Sequence, residues 1–319
     1  MEEKKNMIVY GPIPSRRLGK SMGINNIPPK ICTYSCIYCQ LGRTLNMQFE
    51  RKAFYKVEEI FKDVKNKVNL TLNKKEPIDY LTFVSDGEPT LDINLGKEIE
   101  RAKSLGIKVA VITNSSLIWR DDVRDDLSKA DWVSVKIDAI SQDIWRRINR
   151  AHKFFKIEKI LQGISKFSMT FKGELATETM IIKNVNNSKD EIKKISDFIK
   201  KLHPKKSYLS IPTRPPAEKW AEPADEIDIN NTYQIFDERG INTELLTGYE
   251  GNAFAFTGEV KEDLLSIMSV HPMRKEGVKK FLSKAKTDWS IIEKLIKEGK
   301  LVEVDYRGNK FYIRKLSGK

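Results

Sequence analysis

Apolar positions along the chain recur with two alternating periods. Val57, Ile60, Phe61, Val64 and Val68 fall three or four residues apart, as on one face of a helix, and Ile192, Ile195, Phe198 and Ile199 repeat that spacing. Between such stretches lie short runs rich in β-branched and aromatic residues, at 22–25, 80–84, 108–113, 132–137, 175–181 and 207–211. Strands that alternate with helices pair in parallel, because a parallel neighbour needs a crossover long enough to hold a helix. Six right-handed units of this kind curl into an open or partial barrel, so the pattern predicts an α/β fold, a partial (β/α)6 barrel. Functional groups of such a fold collect at the carboxyl ends of the strands.

Several unusual residues fall at those ends. Asp86-Gly87-Glu88 follow the second strand, Asn114-Ser115 the third, and Lys136 and Asp138 close the fourth. Alternation places Ser134, Lys136 and Asp138 on one side of that fourth strand, where three polar groups inside a barrel need water, a ligand or one another. Thr177 and Glu178 on the fifth strand extend the same expectation. The proline-rich stretch 212–223 leads out of the last strand and is expected along the barrel mouth as a lid or edge.

From Gly258 the pattern changes to three short helices, at 261–269, 274–285 and 289–298, then strands at 301–305 and 310–315 about a turn at 306–309. Three helices and a terminal hairpin describe a winged helix, with Leu264, Leu265, Val278, Phe281, Leu282, Ile291, Ile292 and Leu295 as its core. The expected organisation is a barrel at 1–246, a linker at 247–258 and a winged-helix-like domain at 259–319.

Composition narrows the function classes. The 319 residues are 40% hydrophobic and 32% charged, an ordinary globular balance. No run of about 18 apolar residues offers a membrane span and the first residues carry no signal-peptide core, so a cytoplasmic protein with no membrane partner is expected. The net charge of +13 would attract a polyanion such as tRNA or DNA and equally describes many surface lysines. Residues 259–319 hold 15 Lys and Arg against 9 Asp and Glu, an enrichment without a continuous basic block.

The three cysteines change the picture most. Cys32, Cys36 and Cys39 lie within eight residues in the spacing C-x3-C-x2-C, and no other cysteine exists to pair with them. A zinc site would need a fourth protein ligand, and His152, His203 and His271 stand at no finger spacing from the thiols. Three thiolates suit a cubane cluster in which three irons are held by protein and the fourth takes an exogenous ligand.

With Tyr38 before the last cysteine, this segment resembles the radical S-adenosylmethionine (SAM) superfamily, and the resemblance spans roughly residues 8–215. It implies a barrel of the radical SAM type and a [4Fe–4S] cluster on Cys32, Cys36 and Cys39. It also implies SAM bound to the open iron, an external electron donor, and reductive cleavage to a 5′-deoxyadenosyl radical that abstracts hydrogen. Ser85-Asp86-Gly87-Glu88-Pro89-Thr90-Leu91 matches the stretch that binds the cofactor's amino group, with Asp86 in place of the first glycine and Glu88 supplying negative charge. By the same resemblance Tyr38, Gly87, Asn114, Ser134, Lys136 and Asp138 join Glu88 in cofactor binding. Lys136 would meet the carboxylate and Asp138 the ribose hydroxyls, unless the two pair with each other.

The opening segment Gly11-Pro-Ile-Pro-Ser-Arg-Arg-Leu-Gly19 is similar to a subfamily grouped with the wyosine tRNA-base synthases. Arg16 and Arg17 are candidates for a substrate phosphate or carboxylate, or for plain surface charge. Because all three thiols are committed, a second cysteine-held cluster, a catalytic cysteine and a cysteine hydrogen donor are excluded. Three functions remain: an enzyme on tRNA or another nucleic acid docked through Lys279, Lys280, Lys284, Lys294 and Lys297; an activase-like enzyme on a small molecule or protein; and a redox-sensing iron–sulfur DNA-binding regulator.

Overall fold

A computed structural model describes residues 8–248, 251 and 254–315. The chain runs β1 (Val9–Ser15), β2 (Gly19–Ile24), β3 (Ile31–Cys32), β4 (Asn46–Met47), α1 (Val57–Asn73), β5 (Tyr80–Phe83), α2 (Leu95–Lys103) and β6 (Lys108–Thr113). It continues through α3 (Asp121–Leu127), β7 (Trp132–Lys136), α4 (Gln142–Asn149), α5 (Ile157–Thr170), β8 (Glu174–Met180), α6 (Lys189–Leu202), β9 (Lys206–Ser210), α7 (Glu226–Asp237) and β10 (Thr243–Leu246). The main sheet has eight strands in the order β1-β2-β5-β6-β7-β8-β9-β10, curled into a half-barrel; every pairing is parallel except β1 with β2.

All six expected strands are present, and two more extend the sheet. One of them, β1, carries Gly11, Pro12 and Pro14; the prolines are tolerated because it is an edge strand whose register shifts between Tyr10 and Ile13. The Tyr10 ring lies over Gly23 of β2, where an added Cβ would come within 2.0 Å of it, and the Tyr10 hydroxyl donates to Val84 O at 3.0 Å. The other, β10, pairs with β9 after the α7 crossover.

Alternation along each strand divides the molecule into layers. Leu81, Phe83, Val109, Val111, Val133 and Val135 face outward and are covered by Ile60, Val64 and Val68 of α1, Ile160 and Ile164 of α5, and Ile192, Ile195 and Ile199 of α6. Ala110, Trp132, Ala176 and Tyr208 face the interior, and Leu18 from the β1–β2 turn packs among them as a plug. Above this floor the interior becomes polar, and the register that sets Lys136 opposite Glu178 begins the site.

Beyond the half-barrel lie α8 (Val260–Val270), β11 (Met273–Arg274), α9 (Lys275–Lys284), α10 (Ser290–Lys297), β12 (Leu301–Tyr306) and β13 (Asn309–Arg314). The three strands form an antiparallel sheet in the order β11-β13-β12. Leu264, Met268, Val278, Phe281, Leu282, Ile292 and Leu295 share one apolar cluster with Phe254, and Ile13 of β1 packs against it. The C-terminal body is thus built onto the half-barrel. Ala255 N donates to Pro12 O at 3.1 Å, and Tyr306 Oη to Pro212 O at 3.2 Å. Lys67 Nζ of α1 meets buried Asp263 of α8 at 2.7 Å, where Thr257 also donates its amide and its hydroxyl, and Lys284 pairs with Glu76.

Candidate cluster and cofactor site

The cysteine loop is shaped by its neighbours more than by itself. β3 pairs with β4, Gln48 N donates to Cys32 O at 3.1 Å, and the end of α4 returns to the loop through Ser35 N to Asn149 O at 3.1 Å and Ile37 N to Ile148 O at 3.0 Å. Gly87 is required by this packing, since a Cβ there would lie 1.8 Å from the backbone oxygen of Ile31. Asn25 and Asn26 hold the turn that follows β5. Asn25 Oδ1 accepts from Asp86 N at 3.0 Å, Asn26 Oδ1 from Ser85 Oγ at 2.6 Å, and Asn26 Nδ2 donates to Pro89 O at 3.2 Å.

Cys32, Cys36 and Cys39 line one cavity of about 310 Å3 at the carboxyl ends of the strands, together with Tyr38, Asp86, Gly87, Glu88, Asn114, Lys136, Glu178 and Ser210. Arg16, Arg17, Lys30 and Arg214 also line it, so the ends of β5, β6, β7, β8 and β9, the β1–β2 turn and the segment after β9 converge there. Burial pushes all three thiols up, Cys36 to about 12, although Asn149 Nδ2 donates to Cys36 Sγ at 3.4 Å and Asn114 Nδ2 approaches Cys32 Sγ at 3.5 Å. Half-buried thiols on one cavity, with amide donors on two of their sulfurs and no cation bonded to them among the described residues, suit a metal cluster that binds them as thiolates.

The two carboxylates of the Asp-Gly-Glu turn differ. Glu88 is fully buried and saturated: Oε1 accepts from Thr90 N (3.1 Å), Thr90 Oγ1 (2.6 Å) and Thr113 Oγ1 (2.6 Å), and Oε2 from Asn114 N (2.7 Å). It caps the short turn Pro89–Leu91 and ties the end of β5 to the end of β6. Burial raises its carboxyl and these bonds lower it in part. Asp86 is 2% exposed, and its Oδ1 has no hydrogen-bond partner among the described residues. Burial lifts this carboxyl to about 8, against the weaker pull of Arg314 and Lys30.

Lys136 bridges Glu178 Oε1 at 3.2 Å and Asp138 Oδ1 at 3.6 Å, so both the mutual pair and a place in the cavity wall expected from the sequence are seen. Burial alone would lower the Lys136 amine, and the two carboxylates overcome it. Burial would likewise raise Glu178, but Arg17 and Lys136 hold it at about 2. Asp138 lies behind the cavity wall, accepting from Tyr38 Oη, from Asn149 Nδ2 at 2.9 Å and from Met180 N at 2.9 Å. Ser134 sits deeper in the barrel, with its hydroxyl buried and unpartnered among the described residues. Thr177 faces the other way and bonds Ser207 Oγ at 2.8 Å. Arg17 is committed to Glu178, and Arg16 donates to Leu245 O and Gly248 O at 3.3 and 3.1 Å. The 212–223 segment does run along the mouth: Glu218 binds Arg43 (2.7 Å) and Arg150 (2.5 Å), and Arg214 Nη2 meets His271 Nε2 at 3.0 Å.

Sequence reasoning missed Asn149, Thr33, Asn25 and Asn26. Asn149 carried no local signal, because its role depends on α4 folding back onto a loop 113 residues earlier. Of the five lysines considered for docking, Lys284 is turned onto the half-barrel by Glu76, whereas Lys279, Lys280, Lys294 and Lys297 are exposed. No helix of the described residues is long and apolar enough to cross a membrane.

Comparison with known proteins agrees with this geometry. Residues 26–199 match the radical SAM superfamily. A UPF0026 protein of Methanocaldococcus jannaschii is 49% identical over 314 residues, covering 98% of this chain and 97% of its own. Among solved structures, TYW1 with a lysine-pyruvate adduct bound aligns with a TM-score of 0.53 at 18% identity, over 68% of this chain and 73% of that one. A radical SAM methyltransferase from Sphaerobacter thermophilus aligns with a TM-score of 0.53 at 13% identity, over 71% and 66%. The superfamily uses a [4Fe–4S] cluster and SAM and needs an electron donor, and membership in this family of enzymes sets aside the reading of a redox-sensing regulator. With its C-x3-C-x2-C loop at the mouth of a curled half-barrel, the chain belongs to the radical SAM superfamily and, within it, to the UPF0026 proteins.

Proposed function

We propose that the chain holds a [4Fe–4S] cluster on Cys32, Cys36 and Cys39 and binds SAM beside it, in the cavity that Tyr38, Gly87, Asn114 and Lys136 also line. Bound there, the pair would supply a 5′-deoxyadenosyl radical for hydrogen abstraction. One observation carries the reading: three thiols in no disulfide and the buried Asp86, whose Oδ1 has no hydrogen-bond partner among the described residues, face one cavity at the strand ends. Burial makes this carboxyl costly to ionise, and a ligand ammonium would offset that cost. Asp86 is therefore assigned to the amino group. Glu88 fixes the turn through its four hydrogen bonds, Asn114 and Asn149 orient the sulfurs, and Lys136 faces the ligand carboxylate. Asp138 and Ser134 support the wall from behind and below.

The organisation that goes with this reading is a cytoplasmic enzyme with a barrel at 1–246, a linker at 247–258 and a winged-helix-like domain at 259–319. The helix and strand order from α8 to β13 and its separate apolar cluster support that division. Exposed Lys279, Lys280, Lys294 and Lys297 support tRNA or another nucleic acid as substrate. A small molecule is the second reading, favoured by the bonds from Tyr306 to Pro212 and from Arg214 to His271, which place the C-terminal body against the mouth.

The test is anaerobic reconstitution. The protein should take up about four iron atoms per chain, show an EPR signal on reduction that changes when SAM is added, and slowly release 5′-deoxyadenosine without substrate. Cys36→Ala should lose the signal. Stoichiometric zinc without iron after anaerobic purification would end this reading.

A further inference from the structure

From Tyr34 in the cavity wall, packed aromatic rings run to the surface. Tyr34, between Cys32 and Cys36, meets Phe155 edge-on with ring centres 6.3 Å apart. Phe155 meets Phe49 at 6.4 Å, and Phe49 stacks on Phe154 at 4.6 Å with planes 8° apart. Tyr34 is 3% exposed and Phe155 2%, whereas Phe154 is 54% exposed. Hydrogen bonds tie the same surface to the loop, from Gln48 N to Cys32 O at 3.1 Å and from His152 N to Thr33 O at 3.2 Å.

Phe154 packs on Phe49, Phe155 and Trp119, yet more than half of it stays in water, where burial has still to be gained. The two segments that carry it and Phe49 are basic. Residues 49–56 and 150–159 hold seven Lys or Arg and two Glu. Arg51 and Arg150 are engaged by Asp126 and Glu218, but Lys153 and Lys156 are exposed and make no ion pair among the described residues. An aromatic centre within a charged rim is the make-up of a protein-docking surface, and the sign of the rim selects an acidic partner.

We propose that Phe49, His152, Lys153, Phe154 and Lys156 form the docking surface for a small acidic electron-carrier protein. This rests on the cluster assignment of the preceding section. The carrier loses one electron and the cluster gains it, with no bond made or broken. None of these residues lines the cavity, so a partner seated here leaves it to substrate, and the ring series gives a packed route from the contact surface to Tyr34. Opposite charges bring the two proteins together, and the stacked rings supply the apolar centre.

An acidic two-cluster ferredoxin is the probe. Its binding to the cluster-free protein is measured by titration calorimetry, and reduction of the reconstituted cluster by stopped-flow absorbance, with dithionite as the alternative reductant. Phe154→Ala, and separately Lys153→Glu with Lys156→Glu, should each weaken ferredoxin binding and slow ferredoxin-driven reduction about tenfold. The loss in the charge-reversed variant should shrink as salt rises, that in Phe154→Ala should not, and dithionite should reduce every variant at the unaltered rate. Unchanged ferredoxin binding and reduction in both variants would overturn the proposal. Loss of tRNA binding with ferredoxin binding intact would overturn it too, and make the surface an RNA site. Failure of dithionite-treated, unaltered protein to cleave SAM would instead strike the reading of the cavity, while calorimetry still decides the surface.

Discussion

At the end of β5, Asp86 and Glu88 are both buried, yet only Glu88 has its lone pairs satisfied by Thr90, Thr113 and Asn114. An unfolded Asp86 releases its proton near its ordinary value of 3.8, whereas the folded group holds it until about 8. Between those values the folded state binds the extra proton, so this residue makes stability fall as pH rises from about 4 to 8 and level off above. Asp86→Asn should flatten that fall: thermal melts of cluster-free protein should show a midpoint gain that is small at pH 4 and grows towards pH 8, by roughly 2–4 °C per kcal/mol of relief. A constant difference across the range would show that the carboxylate is not held unpaired. The same variant should lose SAM affinity with the cluster kept. The cysteine spacing and the Asp-Gly-Glu turn were legible in the sequence because each is local. That Glu88 would be consumed by hydrogen bonds was not, since Thr113 and Asn114 arrive from another strand.

Element by element, periodicity located the six inner strands because their outward faces are continuous runs of Val, Ile, Leu and Phe buried against helices. The two outer strands escaped it for different reasons. β1 carries a glycine and two prolines, and β10 is four residues long with no fully apolar face. Nor did the sequence disclose the clasp between α1 and α8, whose members Lys67 and Asp263 lie 196 residues apart. Lys67 is one of three donors to a nearly inaccessible carboxylate, and its removal leaves that charge without a counter-ion. Lys67→Met should cost roughly 3–5 kcal/mol and speed limited proteolysis within residues 247–258, seen as a lower melting midpoint and earlier release of a C-terminal fragment. A melting midpoint equal to that of the unaltered protein would place the attachment elsewhere, in the apolar contact with Ile13.

For the molecule as a whole, charge and cavity bear on different questions. If the exposed lysines of α9 and α10 hold a nucleic acid, tRNA binding should weaken steeply with salt, and Lys279→Glu with Lys280→Glu should lower the log–log slope by about 0.7–0.9 for each phosphate that is no longer neutralised. SAM cleavage without substrate should not change. A slope that stays the same in the variant would shift the weight to a small-molecule substrate. The C-terminal helices and hairpin were legible in the sequence, but their seat against β1 and Pro212 was not, because packing between two apolar clusters leaves no periodic trace.

The outermost strands β1 and β10 are not hydrogen-bonded to each other; the turn that follows β1 reaches β10 through Arg16, whose guanidinium donates to Leu245 O and Gly248 O. Each pair of neighbouring strands elsewhere in the sheet is held by a ladder of backbone bonds, which resists separation along its whole length. Two bonds from one exposed side chain do not. The curled sheet is therefore mechanically softest along this seam, and an elastic change in its girth would be taken up there, leaving the spacing of Lys136, Glu178 and the cysteine loop almost unchanged.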